Sequence, residues 1–139
     1  MGNYLMSLIK ANDITNVTGG IPTVKSQQLI PTAWVSFNGT GSTAIRGSEN
    51  VSSLTDNAQG KFTINFSTAM ANINYSFAGS MSSAPDDTAR GPSGICPNKD
   101  SVRTTTALPV VTLLGSRSDT AGVLYDAIYN DVLIMGGQA

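Results

Sequence analysis

Lys61-Phe62-Thr63-Ile64-Asn65-Phe66-Ser67 is the stretch that decides the fold. Phe62, Ile64 and Phe66 project to one side of an extended chain, and Lys61, Thr63 and Asn65 to the other. This is the period-2 pattern of a strand with one dry and one wet face. A dry face of two phenylalanines and an isoleucine must be covered by other elements. Ala33, Val35 and Phe37 alternate with Trp34, Ser36 and Asn38 in the same way, so Trp34 falls on the face opposite Val35 and Phe37.

Turn signals punctuate these runs. Asn38-Gly39-Thr40-Gly41 and Asp56-Asn57-Ala58-Gln59-Gly60 are rich in residues that accept positive φ or bond their own backbone. Between and beyond them the pattern predicts strands near 43–47, 50–55, 74–80, 102–114, 122–125 and 131–135, the last closed by Gly136-Gly137. The runs 61–67 and 74–80 read as sequential neighbours joined by 69–73. Between Met81 and Ser101 periodicity disappears into Pro85, Asp86, Asp87, Arg90, Pro92, Pro97 and Lys99, which predicts a long loop with a binding or intersubunit role. The expected architecture is an all-β, antiparallel β-sandwich or jelly-roll-like domain over residues 31–139. Residues 1–30 read as a short N-terminal docking arm and linker, with Tyr4, Leu5, Leu8 and Ile9 as an apolar patch that needs a partner surface and Gly19-Gly20 as the flexible join.

Composition narrows the function. In 139 residues there are 8 Lys and Arg against 9 Asp and Glu, for a net charge of −1. So sparse a charge leaves no basic footprint for nucleic acid. The longest apolar stretch, 108–114, is broken by Pro109 and Thr112 and is far shorter than a spanning helix requires, so no membrane insertion is expected. The run from Tyr4 to Ile9 lacks a preceding basic region and does not read as a secretion signal. Histidine is absent, which removes the commonest general base and metal ligand, and Cys96 has no second cysteine to pair with.

The catalytic look-alikes fail on context. Ser7-Leu8-Ile9-Lys10 has the S-x-x-K spacing but lies in the arm and has no Lys-Thr-Gly companion. Asp87-Thr88-Ala89 and Asp119-Thr120-Ala121 sit in polar turns, without the apolar strand residue that would hold an aspartic-protease carboxylate. Asp86, Asp87, Asp100 and Asp119 lack the spacing of a calcium loop. No cofactor, no metal and no catalytic residue is therefore expected. Binding character resides in the aromatics Trp34, Tyr75, Tyr125 and Tyr129, which can stack on sugars or anchor an interface, and in the charged loop residues Asp86, Asp87, Arg90 and Lys99.

A longer string carries more information than any of these motifs. Ala33-Trp34-Val35-Ser36-Phe37-Asn38-Gly39-Thr40-Gly41 is followed by Ala44-Ile45-Arg46 and by Asn50-Val51-Ser52-Ser53-Leu54-Thr55-Asp56. Thr63-Ile64-Asn65-Phe66-Ser67-Thr68-Ala69-Met70-Ala71-Asn72-Ile73-Asn74-Tyr75 completes it. Together these resemble the C-terminal domain of tail-fibre and appendage proteins of marine and cyanobacterial tailed phages, closely over 31–79 and more loosely over 131–136. Leu54 stands where that family has Ile, residues 81–101 have no counterpart in its pattern, and the long fibre shaft is missing.

The resemblance implies a non-enzymatic virion protein: a short tail fibre or tail-tip domain that attaches to a host-surface glycan or receptor. A capsid decoration or head-fibre role is the alternative, and a polysaccharide-cleaving tailspike is the rival from the enzyme class. It also implies a homotrimer, docked on other virion proteins of the tail or capsid. A surface of Ser, Thr, Asn, Ala and Gly loses little side-chain entropy on packing, and a closed ring consumes exposed sheet edges, so oligomerisation also has a physical basis.

Overall fold

The computed structural model of the chain describes residues 23–24, 27–28, 30–82, 90–116 and 122–138. They are all-β. Thr23–Val24 (β1) and Gln27–Gln28 (β2) pair only with each other, as a two-residue ribbon inside the segment read as an arm. The patch Tyr4, Leu5, Leu8 and Ile9 lies outside the described residues, as do Asp86 and Asp87.

Two antiparallel sheets face each other, as the alternation required. One is built from Ala33–Asn38 (β3), Ala44–Glu49 (β4), Ser76–Met81 (β7) and Asn130–Met135 (β11), in the order β4-β3-β11-β7. The other holds Val51–Ala58 (β5), Lys61–Phe66 (β6), Arg90–Pro97 (β8), Ala107–Ser116 (β9) and Val123–Leu124 (β10). Within it β9 is the hub. Its residues 107–111 pair with β6 and its residues 113–114 with β10, end to end along one edge, while β8 occupies the other edge.

The inward faces interlock into one core. Ala33, Val35, Phe37, Val132 and Ile134 come from the first sheet; Phe62, Ile64, Phe66, Leu108, Val110 and Ile95 come from the second. Phe37 and Phe62 meet across the interior edge to face, with ring centroids 5.1 Å apart. This arrangement suits the ring quadrupoles and adds roughly 0.5–1.5 kcal/mol beyond area burial.

Three sequence expectations are corrected. The runs at 61–67 and 74–80 are not paired neighbours, because β6 and β7 lie in opposite sheets. The link between them closes one end of the sandwich, burying Met70 and Tyr75. Alternation identifies which face of a strand is dry and carries no information about its hydrogen-bonded partner. The 81–101 segment is not a loop throughout, because β8 runs through it from Arg90 to Pro97. Its prolines are tolerated because β8 is an edge strand, and Pro92 falls within the register shift between Arg90 and Ser93. The turn expected over 56–60 is confined to its end: β5 continues to Ala58, with a register shift between Asp56 and Ala58.

The sandwich has two unlike ends. At one, β3 begins beside the finish of β11: the Thr32 amide donates to Ile134 O at 2.8 Å, and the Thr32 hydroxyl bonds Gly136 O while accepting from the Gly136 amide at 3.0 Å. Residue 30 therefore joins the sandwich alongside residues 136–138. At the other end lie the β3–β4 turn, Gly60 and the 125–129 segment, tied together by the Gly39 amide on Ala127 O at 2.9 Å.

Candidate functional site

The registers of three strands build a binding surface on the outer face of the first sheet. Trp34 on β3 lies opposite Leu133 on β11, which lies opposite Ala78 on β7; the next outward row is Ser36, Asp131 and Ser80. Because side chains alternate, Val35 and Val132 of the same strands turn inward and anchor the rows on the core. The result is an open groove of about 440 Å³.

Trp34 forms one wall. It is 39% exposed although it is the largest side chain in the protein, and Leu133 beside it is 48% exposed. Gly47 on β4 explains how the indole lies. A Cβ there would meet Trp34 Cη2 at 3.2 Å, so the absence of a side chain lets the ring settle over β4. Ser36, Ala78 and Ser80 line the groove with small side chains, and Gly79 with bare backbone. Asp131 is its sole charged lining residue, exposed and without a salt bridge among the described residues. An indole face, an aliphatic shoulder, two hydroxyls and one carboxylate on a rigid floor can hold a ligand with one apolar face and a hydroxylated edge.

The other residues singled out in the sequence go elsewhere. Tyr129 lies at the end of the sandwich that carries the β3–β4 turn and is 57% exposed, with the Arg46 guanidinium 4.3 Å above its ring. Arg46 also bonds the carbonyls of Phe37 and Ile128, so the pair clamps the 125–129 segment onto β3. Tyr125 is half-buried; its backbone carbonyl accepts from the Thr112 hydroxyl at 2.5 Å, and its amide donates to Thr112 O at 3.1 Å. Lys99 lies in a shallow hollow on the other sheet with Lys61, Val111, Leu113 and Leu124, bonded to Asp100 at 2.5 Å. That bond raises the Lys99 pKa and lowers that of Asp100. Arg90 starts β8 opposite Ser116. The structure thus separates Trp34, Tyr129 and Lys99 onto three surfaces.

Tyr75 is core, with its ring edge to face on Phe66 at 5.7 Å and its hydroxyl 3.0 Å from the carbonyls of both Thr104 and Ala107. Burial pushes its pKa up, partly opposed by the nearby Arg103 charge. Asn130 is likewise buried, donating to Ala127 O at 2.8 Å, and its Oδ1 has no partner among the described residues. Among the described residues no cluster of three His, Cys, Asp or Glu side chains could hold a metal ion, and no helix is long and apolar enough to cross a membrane.

Sequence reading found Trp34 and missed Asp131, Leu133, Ser36, Ala78 and Ser80. The signal in β11 was the alternation of Asp131 and Leu133 against Val132 and Ile134, but an outward leucine is indistinguishable from an inward one until its cross-strand neighbours are known. Comparisons with models of known protein families, with curated proteins and with solved structures give no match to this chain.

Proposed function

We propose that the chain is a non-catalytic attachment module of a tailed-phage appendage, a short tail fibre or tail-tip domain that binds a host-surface glycan. The observation that carries this reading is the Trp34 groove. A pyranose ring can stack its C–H face on the half-exposed indole while its hydroxyls reach Asp131, Ser36 and Ser80. The resemblance of residues 31–79 to phage appendage domains supports the same reading.

Cleavage of the bound glycan is not part of the proposal. Glycoside hydrolysis ordinarily uses two carboxyl groups flanking the bond, and among the described residues Asp131 is the groove's sole carboxylate. Placement of residue 30 beside 136–138 suits attachment to a larger assembly at that end, and the proposal includes a homotrimer in which three grooves act together. Joined sites can raise avidity ~10²–10⁴-fold over one weak site.

Purified full-length protein tested on host cells and a glycan array, beside Trp34→Ala, decides the matter. Binding that is lost in the variant while its melting temperature holds supports the reading. Absence of cell and glycan binding together with binding to empty capsids would replace it with head decoration, and release of products from a host polysaccharide would replace it with a tailspike enzyme.

A further inference from the structure

A second groove, of about 360 Å³, runs along the seam between β7 and β8, with Tyr75, Phe77, Ile95, Pro97 and Arg103 in its walls. It shares Ala78 and Gly79 with the Trp34 groove, so the two meet over the edge strand β7. The divide between them is low because those two residues are small. A Cβ at Gly79 would crowd this divide, lying 3.1 Å from Ile95 Cβ and from Asp131 O.

Arg103 gives the second groove its character. Its Nη1 donates to Tyr75 O at 2.8 Å, and its guanidinium carbon sits 5.4 Å from the Tyr75 ring centroid, so a buried tyrosine holds it in place. No carboxylate among the described residues pairs with it. A positioned guanidinium with donors to spare suits a planar or tetrahedral anion, which it can bind through two parallel N–H bonds. Asp131 in the adjoining groove repels an anion at the Trp34 end.

We infer that the two grooves form one channel for an acidic glycan, with a neutral sugar on Trp34 and Asp131 and a carboxylate or sulfate substituent of a neighbouring sugar on Arg103. This rests on the attachment reading and specifies its ligand class. Affinities of the full-length protein for polyuronates and sulfated polysaccharides, each beside its carboxyl-reduced or desulfated form, provide the test. At least one acidic polymer is expected to bind about tenfold more tightly than its neutral counterpart, with a preference that fades at high salt. Arg103→Gln removes the preference and leaves neutral binding in place. Arg103→Lys, which keeps the charge but not the bidentate geometry, retains the salt-sensitive part and covers the case in which the glutamine variant does not fold. Trp34→Ala weakens acidic and neutral binding alike. If no acidic polymer is preferred, or the preference survives in Arg103→Gln, the inference is overturned while the attachment reading stands. If the wild type binds neither glycans nor cells, the attachment reading falls first.

Discussion

The side-chain amide of Asn50 pairs with the backbone of Thr68 as a strand would: Oδ1 accepts from the Thr68 amide at 2.7 Å, and Nδ2 donates to the Thr68 carbonyl at 3.2 Å. Asn50 alone separates β4 from β5, and it turns the chain from one sheet to the other with φ at 53°. Among non-glycine residues Asn is one of the few that tolerate this conformation. The corner therefore stands on backbone tolerance and a bidentate clasp together.

Asn50→Ala removes both, and a loss of about 2–3 kcal/mol in unfolding free energy is expected. Asn50→Gly keeps the tolerance and loses only the clasp, so it should fall between wild type and alanine. Urea denaturation of the three proteins checks the order; equal losses for Gly and Ala would mean that the φ angle is irrelevant.

Gly60 and Gly41 share a φ of 62° but not their surroundings. At Gly60 a Cβ would stand 2.6 Å from the Tyr125 amide nitrogen and 2.9 Å from Thr112 O, whereas at Gly41 nothing lies within 4 Å. Gly41→Ala should cost roughly 1 kcal/mol, the strain alone, and Gly60→Ala more than twice as much, because it also drives the backbone of Tyr125 and Thr112 away from the β5–β6 turn. Thermal melts of the pair separate conformational strain from collision.

Tyr75 links stability to alkaline pH. Its pKa in the folded protein lies above the ordinary 10.0, so the folded state holds the phenolic proton more tightly than the unfolded chain does. The contribution is complete below pH 10 and is lost as pH rises through the folded value. Tyr75→Phe should cost about 1 kcal/mol at pH 8, where the hydroxyl bond is lost. The gap to wild type should narrow above pH 10. Denaturant midpoints of both proteins at pH 8 and pH 11 test this, and a gap that widens with pH reverses the assigned sign.

The indole over Gly47 can be followed directly, because Trp34 is the sole tryptophan. Gly47→Ala places a methyl 3.2 Å from Trp34 Cη2, which tilts the flexible ring away from β4. A red-shifted emission maximum is expected, with little change in melting temperature and weaker glycan binding. Unchanged emission would mean that the ring does not rest on β4.

Light scattering of the purified protein reads the proposed assembly. About three times 14.4 kDa is the expected mass, and 14.4 kDa at micromolar concentration would refute a trimer that forms off the virion.

Alternation at Ala33–Phe37 and Lys61–Phe66, with the turn signals between them, was enough to predict an all-β sandwich or jelly-roll-like domain and the part of its core built on Val35, Phe37, Phe62, Ile64 and Phe66, because the period of apolar residues along a strand is a local property of the chain. Trp34 was also legible as the outward exception on a strand whose other large side chains point inward. Pairing was not legible. The sheet assignments of β6 and β7, and the edge strand β8 within a proline-rich stretch, follow from long-range hydrogen bonds that leave no trace in short sequence windows. The groove belongs to the same class: Leu133, Asp131 and Ala78 lie far from Trp34 in sequence and become its neighbours only through the β3–β11–β7 register. Nor could spacing reveal that Gly47 makes room for the indole or that Arg103 pairs with no carboxylate among the described residues, since both depend on what the folded chain brings within a few ångströms.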